Sequence, residues 1–285
     1  MKRVGLVGHP IAHSLSPAIH RAAFAHHGRE ERYELWDTEA AQLEARVRGL
    51  RGDDFLGANV TVPYKQAVMS HVDRLDELAE QTGAVNTIVN EGGRLAGYNT
   101  DVAGFARALE AAGFAAEGKR AAVLGAGGAA RAVGLVLVRS RAASIDLCDL
   151  DVERARALAE HLGSASEGRT VVRAHAASNA AFREAVTNCR LLVNCTPTGT
   201  RHSDLEGRTP VDGEAITPGA LVFDLVYNPS LTPLMAAARA RGANAVGGLS
   251  MLVYQAAASF KLWTGLDAPV DEMLAAAGRA LDATN

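Results

Sequence analysis

The chain has 285 residues, of which 48% are hydrophobic and 21% charged, and this balance is typical of a globular protein with enough apolar side chains for real cores. Its formal net charge is −3 and its pI is near 6.3, so it lacks the basic surplus with which proteins bind nucleic acids or anionic membranes. We expect a cytoplasmic protein of two ordinary domains, because the N-terminal apolar run 4–7 is too short for a signal peptide and no apolar stretch reaches membrane-spanning length.

Short β-type apolar runs alternate with amphipathic helical patterns along the first hundred residues, which predicts an α/β fold. A first strand is expected at 3–7, followed by a helix with Ser16 as its N-cap that closes at Gly28. Further strands are predicted at 32–36, 57–62, 84–89 and 94–98, with Gly92 and Gly93 forming a hairpin turn between the last two.

The segment 59–65 reads Asn-Val-Thr-Val-Pro-Tyr-Lys and is predicted to be a strand that stops abruptly before a helical segment. Asn59 and Thr61 share one face of the strand, and Pro63 has no N–H with which to continue a central ladder. Polar side chains and the Lys65 ammonium therefore gather at the carboxyl end of a strand, where open α/β sheets bind their ligands. This arrangement indicates a site for a small polyhydroxylated molecule.

A second regular series of strands and helices begins near Lys119. Strands are predicted at 120–124, 144–148, 170–173, 191–195 and 221–225, and helices at 129–139, 152–161 and 180–188, with a helical tail from Leu249. The first of these strands leads into Gly-Ala-Gly-Gly-Ala-Ala at 125–130, which fits the G-x-G-x-x-G/A pattern of dinucleotide-binding loops. Asp149 ends the next strand at the offset of an acidic group that holds a ribose 2′-hydroxyl, so we expect a dinucleotide site.

The acidic character of 149–151, Asp-Leu-Asp, bears on which dinucleotide is bound. Two carboxylates with no adjacent cation would repel a 2′-phosphate, whereas the free hydroxyl of NAD would donate to Asp149. Arg154 is the cation nearest in sequence, and we interpret it as a solvated or ion-paired helix residue. NAD is the expected cofactor, and NADP is disfavoured.

Cysteines and histidines form no disulfide or metal pattern in the sequence. The three cysteines, Cys148, Cys189 and Cys195, are odd in number and include no CxxC pair, which predicts reduced thiols. The nine histidines include no HExxH motif, so no metal is expected.

Seven ordered blocks give the chain a resemblance to the shikimate dehydrogenase family, including its quinate/shikimate branch, over nearly its whole length. The blocks are 8–17, 58–65, 83–87, 99–101, 125–131, 224–227 and 247–255. The resemblance implies an N-terminal α/β substrate domain at 1–101, completed by helices in 247–285, and a Rossmann-type doubly wound NAD(P)-binding domain at 102–246, with a cleft between them. It also implies reversible hydride transfer between the 3-hydroxyl of shikimate and the cofactor.

The resemblance further implies roles for individual residues. Ser14 and Ser16 would bind the substrate carboxylate with help from Tyr227, while the ring hydroxyls would be held by Asn59, Thr61, Asn86, Asp101 and Gln255. The cofactor would be held by Gly125, Ala126, Gly127, Gly128, Ala129, Asp149, Leu150, Arg154, Thr196, Leu225, Gly248 and Met251.

Lys65 and Asp101 would be the catalytic pair, because oxidation of an alcohol requires its hydroxyl proton to leave while the cofactor takes the hydride. A neighbouring carboxylate favours charged lysine and burial opposes it, so two roles stay open for Lys65. It is either the base itself or a charged group that stabilises the developing alkoxide.

Departures from the common pattern of the family leave the choice among closely related substrates open. The acidic 149–151 segment replaces Asn-Arg-Thr and resembles NAD-using quinate/shikimate enzymes, whereas Ser16 resembles shikimate-preferring members. Val102, Thr200 and Ser250 also replace usual residues. Shikimate is the expected substrate, and the alternatives are quinate, aminoshikimate, or a ligand-sensing regulator that keeps the fold. We expect a small-molecule partner and a monomer or homodimer.

Overall fold

The computed structural model describes residues 1–177 and 180–283. They form two compact units, one made of Met1–Phe105 with Leu252–Asn285 and the other of Ala106–Met251. The predicted divisions, after residues 101 and 246, lie a few residues before these. Each unit is an α/β layer structure, as the alternating sequence pattern predicts.

The first unit is built on a six-stranded mixed sheet in the order β2-β1-β3-β5-β6-β4. Strand β1 pairs in parallel with both neighbours, and β5 pairs antiparallel with β3 and β6. Its elements up to the first division are β1 (Arg3–Gly8), α1 (Ser16–His26), β2 (Arg32–Asp37), α2 (Leu43–Gly49), β3 (Phe55–Val60), β4 (Arg74–Leu75), α3 (Glu77–Thr82), β5 (Thr87–Glu91), β6 (Arg94–Tyr98) and α4 (Asp101–Ala111).

The second unit is a doubly wound sheet of six parallel strands in the order β12-β11-β10-β7-β8-β9. Its elements are β7 (Arg120–Leu124), α5 (Gly128–Arg139), β8 (Ser144–Asp149), α6 (Val152–Ala165), β9 (Val171–Ala176), α7 (Ala180–Asn188), β10 (Leu191–Asn194), β11 (Leu221–Asp224), α8 (Pro233–Ala240) and β12 (Asn244–Gly247). The strand order reverses between β7 and β10, which is the switch point at which such sheets bind ligands. Helices α9 (Leu249–Thr264) and α10 (Val270–Asp282) end the chain.

Several predicted boundaries are wrong near the polar strand end of the first unit. Leu15, not Ser16, is the N-cap of α1, and Ser16 lies inside the helix. Strand β3 ends at Val60, and Lys65 lies in a turn before the helical segment, which is a short 3-10 helix at Ala67–His71. Strand β5 begins at Thr87 because the preceding Val85 N–H donates to the Lys65 carbonyl (2.7 Å) and not to a neighbouring strand.

Candidate active site

Lys65 and Asp101 meet in the first unit. The Lys65 Nζ lies 2.5 Å from the Asp101 Oδ2, and their side chains are only 14% and 6% exposed. Asp101 is the first residue of α4, where unpaired backbone N–H groups favour a negative charge. The backbone bond between Val85 and Lys65 fixes the turn from which the lysine projects. An ammonium and a carboxylate far apart in sequence are thus held together with little water around them.

Asn86 holds the other side of the Asp101 carboxylate. Its Nδ2 donates to the Asp101 Oδ1 at 2.8 Å, so both carboxylate oxygens accept from a donor. The same Nδ2 lies 3.3 Å from the Gln255 Oε1, while the Gln255 Nε2 donates to the Leu252 carbonyl. Four of the predicted site residues therefore form one cluster: Lys65, Asp101, Asn86 and Gln255.

Ser14 and Ser16 form a second small polar group at the start of α1. The Ser14 Oγ donates to the Ser16 Oγ at 3.2 Å and accepts from the Ser16 N–H at the same distance. Thr61 follows β3, and its methyl group approaches Gly8, where a β-carbon would come within 2.4 Å of the Thr61 Cγ2. Thr61 can therefore pack against β1 at this point because residue 8 is glycine and has no β-carbon.

Asn59 lies behind these residues, in the buried layer of the sheet. Its Oδ1 accepts from the Tyr33 hydroxyl at 2.8 Å, and its Nδ2 donates to the Asn86 carbonyl at 3.2 Å and to the Thr87 Oγ1 at 3.1 Å. Ser259 provides a further acceptor at 3.0 Å. Both ends of the Asn59 carboxamide are thus bonded within the protein, which places it as a support of the cluster rather than on its open side.

A stacked aromatic pair borders this buried layer and was not predicted from the sequence. The rings of His20 and Tyr33 are parallel within 5° with centroids 4.3 Å apart. Neither His20 nitrogen makes a hydrogen bond of normal geometry among the described residues, and burial lowers the pKa of His20 to about 3 against the opposing effect of Asn59. Burial also raises the pKa of Tyr33. Both rings are therefore neutral at physiological pH, and Tyr33 keeps its proton to donate.

The glycine loop of the second unit occupies the switch point between β7 and β10. Gly125 has φ +95°, and a β-carbon there would lie within 3.3 Å of the Cys195 backbone. Gly127 is the N-cap of α5, whose first-turn N–H groups, including those of Gly128 and Ala129, have no partner within the helix. The loop thus offers backbone donors and a helix N-terminus to an anion.

The carboxylate at the end of β8 and the one just after it, Asp149 and Asp151, accept hydrogen bonds from backbone N–H groups. Asp149 accepts from Ala126 at 2.7 Å and from Asp151 at 3.0 Å. Asp151 caps α6 by accepting from the N–H groups of Glu153 and Arg154. Leu150 between them is 95% exposed. The negative charges are therefore directed toward backbone donors.

Two guanidinium groups lie beside the same loop. The Arg154 Nη2 is 3.6 Å from the position that a β-carbon on Gly127 would take. The pKa of Arg131 is lowered, mainly by burial and further by the positive charge of Arg154. Arg131 was not among the predicted cofactor-binding residues, although this residue directly follows the loop in the first turn of α5.

The remaining predicted cofactor residues follow β10 and β11. The Thr196 Oγ1 donates to the Asn194 Oδ1 at 2.7 Å, and the Gly248 N–H donates to the Val226 carbonyl at 3.2 Å. A β-carbon on Gly248 would lie 2.0 Å from the Leu225 carbonyl oxygen, so only glycine fits. Met251 is buried, and Tyr227 is half-buried just after β11.

Other features of the described residues concern thiols, metals and membranes. Burial raises the pKa of Cys148 to about 11 and of Cys189 to about 12, so these free thiols stay protonated. Over 1–177 and 180–283, no group of three His, Cys, Asp or Glu side chains is arranged to hold a metal ion. Within the same ranges, no helix has the length and apolarity to cross a membrane.

Comparison with known proteins gives the family. The shikimate dehydrogenase substrate binding domain matches residues 6–88, and the shikimate 5′-dehydrogenase C-terminal domain matches residues 248–277. A shikimate dehydrogenase (NADP(+)) from Moorella thermoacetica is 47% identical over 95% of this chain and 90% of its own length. One of the same name from Symbiobacterium thermophilum is 45% identical over 98% of this chain and 94% of its own.

A solved structure of a shikimate 5-dehydrogenase also matches the chain over nearly its whole length. Shikimate 5-dehydrogenase from Thermus thermophilus, in complex with NADP(H) and shikimate, is 39% identical, covers 99% of this chain and 100% of its own, and superimposes with a TM-score of 0.87. The fold and the matches define an oxidoreductase of the class that acts on a CH–OH group with a nicotinamide cofactor. The chain belongs to the shikimate dehydrogenase family.

The expectation of NAD as the cofactor is wrong, because the curated relatives at 47% and 45% identity carry NADP(+) in their names. The NAD expectation rested on the charges of Asp149 and Asp151 and on the interpretation of Arg154 as a solvated or ion-paired residue. In the folded chain Asp149 and Asp151 are bonded to backbone N–H groups, and two arginines border the loop.

Proposed function

We propose that the chain catalyses reversible hydride transfer between the 3-hydroxyl of shikimate and NADP. The observation that carries this proposal is the 2.5 Å contact between the Lys65 Nζ and the Asp101 carboxylate. The names of the relatives support the choice of substrate and cofactor.

In this proposal the lysine handles the proton of the reacting hydroxyl. The Asp101 carboxylate holds the Lys65 side chain in one direction, and Asn86 holds the carboxylate in turn. A positioned acid–base group of this kind contributes about 10²–10⁴-fold to rate. When bound, the nicotinamide supplies the hydride acceptor, and the chain supplies binding, orientation and proton transfer.

The substrate is held through its carboxylate and its hydroxyls. We assign the carboxylate to Ser14 and Ser16, with Tyr227 assisting, and the ring hydroxyls to Thr61, Asn86, Asp101 and Gln255. Asn59 acts behind them because its carboxamide is bonded to Tyr33, Asn86 and Thr87. A site of this kind rejects analogues that lack a hydroxyl, since buried polar groups would lose their partners.

The residues of the second unit fit NADP. The loop 125–129 and the N-terminus of α5 suit a pyrophosphate. The guanidinium groups of Arg131 and Arg154 suit a 2′-phosphate, because arginine binds phosphate with charge-assisted hydrogen bonds. Leu150 offers an exposed apolar side chain beside them. Contacts farther along the cofactor are assigned to Thr196, Leu225, Gly248 and Met251.

The test is a panel of substrates and cofactors with the purified protein. Shikimate, quinate and aminoshikimate are each assayed with NADP and with NAD by absorbance of the reduced cofactor, and kcat/KM values are compared. The proposal expects the highest value for shikimate with NADP. Preference for quinate would make the chain a quinate dehydrogenase, and no turnover in any combination would favour a ligand-sensing role.

A further inference from the structure

A buried chain of hydrogen bonds runs through the first unit from Tyr33 to Asp101. Tyr33 donates to Asn59 at 2.8 Å, and Asn59 donates to Thr87 at 3.1 Å. Thr87 donates to the Asn86 Oδ1 at 3.0 Å, and Asn86 donates to Asp101 at 2.8 Å. The path joins β2, β3, β5 and α4, and all five side chains are buried.

Two backbone groups fix the direction of this chain. The Asn86 carbonyl can only accept, so the Asn59 Nδ2 must face it and the Asn59 Oδ1 must face Tyr33. The Thr100 N–H can only donate, and it donates to the Asn86 Oδ1 at 2.8 Å. The Asn86 Nδ2 is therefore left to face the carboxylate. Every donor in the path points toward Asp101, and bonds aligned in this way strengthen one another in a buried setting.

Thr87 is the junction of the path. Its hydroxyl lies 2.8 Å from the Ser259 Oγ and 3.2 Å from the Thr100 Oγ1, in addition to its bonds with the two asparagines. Removing this hydroxyl would take one of three acceptors from the Asn59 Nδ2, leaving it the Asn86 carbonyl and the Ser259 Oγ, and would take one donor from the Asn86 Oδ1. The path thus connects Tyr33 to the Lys65–Asp101 contact.

We propose that Tyr33 and Thr87 are positioning residues, which orient Asp101, and through it Lys65, by way of the directed bonds of Asn59 and Asn86. This inference rests on the proposed role of Lys65 and Asp101. Both side chains are buried and bonded within the protein, which places them behind the residues assigned to the substrate. Loss of either hydroxyl is therefore expected to lower kcat.

The experiment uses Tyr33→Phe, Thr87→Val and Thr87→Ser in the full chain. Thr87→Val is expected to lower kcat with shikimate and NADP about tenfold, and Tyr33→Phe about threefold to tenfold, with shikimate affinity changed less than about threefold. Thr87→Ser keeps the hydroxyl and is expected to stay within about threefold of the parent. Thermal unfolding is measured beside the kinetics, and each variant is expected to unfold well above the assay temperature.

Matched controls remove hydroxyls outside the path. Tyr98→Phe on β6 removes a hydroxyl that bonds Arg74 and Glu91, and Thr264→Val on α9 removes one that bonds the Phe260 carbonyl. Both are expected to keep the parent kcat. Parent kcat in Thr87→Val, or an equal loss in Thr87→Ser and in the controls, would overturn the inference.

A second readout separates this inference from the proposed function. The side-chain amide resonances of Asn86 are recorded by NMR in the unliganded protein, which requires no turnover. The inference expects them to shift and to exchange faster with water in Tyr33→Phe and Thr87→Val than in Thr87→Ser. If the parent fails to oxidise shikimate, the proposed function fails while this comparison still decides the inference. Unchanged resonances in Tyr33→Phe and Thr87→Val overturn it.

Discussion

The Asp101 carboxylate accepts from the Lys65 Nζ on one oxygen and from the Asn86 Nδ2 on the other. Lys65 from a turn and Asn86 from just before a strand thus converge on a carboxylate at the start of a helix, and this carboxylate is only 6% exposed. The proposed chemistry depends on this convergence, because a lysine with free rotation would not hold one direction toward a hydroxyl.

We predict that Asp101→Asn lowers kcat by about 10²-fold or more. The amide would present an NH₂ group to either Lys65 or Asn86, both of which are donors, so one contact must break. The measurement is the initial rate of NADPH formation at saturating shikimate. Asp54→Asn, which neutralises a surface partner of Arg3, serves as the control and should keep the parent rate. A small effect at Asp101 would remove the carboxylate from the mechanism.

We predict that Arg154→Ala raises the KM for NADP about tenfold and leaves the KM for NAD within about twofold. The reason is that only NADP carries the 2′-phosphate with which this guanidinium would pair. Arg156→Ala is the matched control, since Arg156 lies on the same helix and bonds Glu153 at 2.6 Å. Equal changes in the KM values of both cofactors would contradict the assignment of Arg154.

We predict that His20 makes folding sensitive to acid. Its pKa is lowered to about 3 in the fold by burial, from 6.5, so below pH 6.5 the unfolded chain binds a proton that the folded chain does not. The stability contributed by neutral His20 is therefore fully present above pH 6.5 and is lost as the pH falls toward 3. The loss is about 1.4 kcal/mol per pH unit within that window.

Urea unfolding between pH 7.5 and pH 5 measures this contribution. In His20→Phe, which keeps an aromatic ring against Tyr33, the free energy of unfolding should fall less steeply with acid by about that slope. The same replacement at the exposed His26 is the control and should follow the parent. Parallel curves for all three proteins would show that His20 is not the responsible group.

We predict that Gly248→Ala destabilises the second unit by about 3 kcal/mol or more, because its β-carbon would lie 2.0 Å from the Leu225 carbonyl oxygen. Gly278→Ala in α10 is the control, since a β-carbon there meets no atom within 4 Å. Alanine at 278 should be neutral or stabilising by up to about 1 kcal/mol. Similar urea midpoints for the two variants would be inconsistent with the close approach at Gly248.

The sequence was sufficient to predict the α/β class, because strand and helix periodicities alternate clearly and the glycine loop follows a strand. It also named the residues that gather around Asp101: Lys65 because it follows a polar strand end, and Asn86 and Gln255 because of the family resemblance. Their catalytic and binding roles stay predictions. The boundaries near Lys65 were missed because the Val85–Lys65 backbone bond links segments distant in sequence.

The hydrogen-bond partners of Tyr33 and Thr87, and those of the 149–151 segment beside the cofactor loop, could not be predicted from the sequence, because they depend on how the chain folds. Tyr33 bonds Asn59 across 26 residues, and its alternating strand pattern indicates burial but no partner. The acidic 149–151 segment looked repulsive to a phosphate because its capping bonds with backbone N–H groups are invisible in a list of charges. The names of the relatives contradict the NAD expectation.

The most direct test of the account is the turnover of Lys65→Ala with shikimate and NADP, measured together with shikimate binding by calorimetry. The account predicts a loss of kcat of about 10²-fold or more with a dissociation constant within about threefold of the parent. Turnover close to that of the parent protein would contradict it, because the proton would then be handled without the lysine that Asp101 holds.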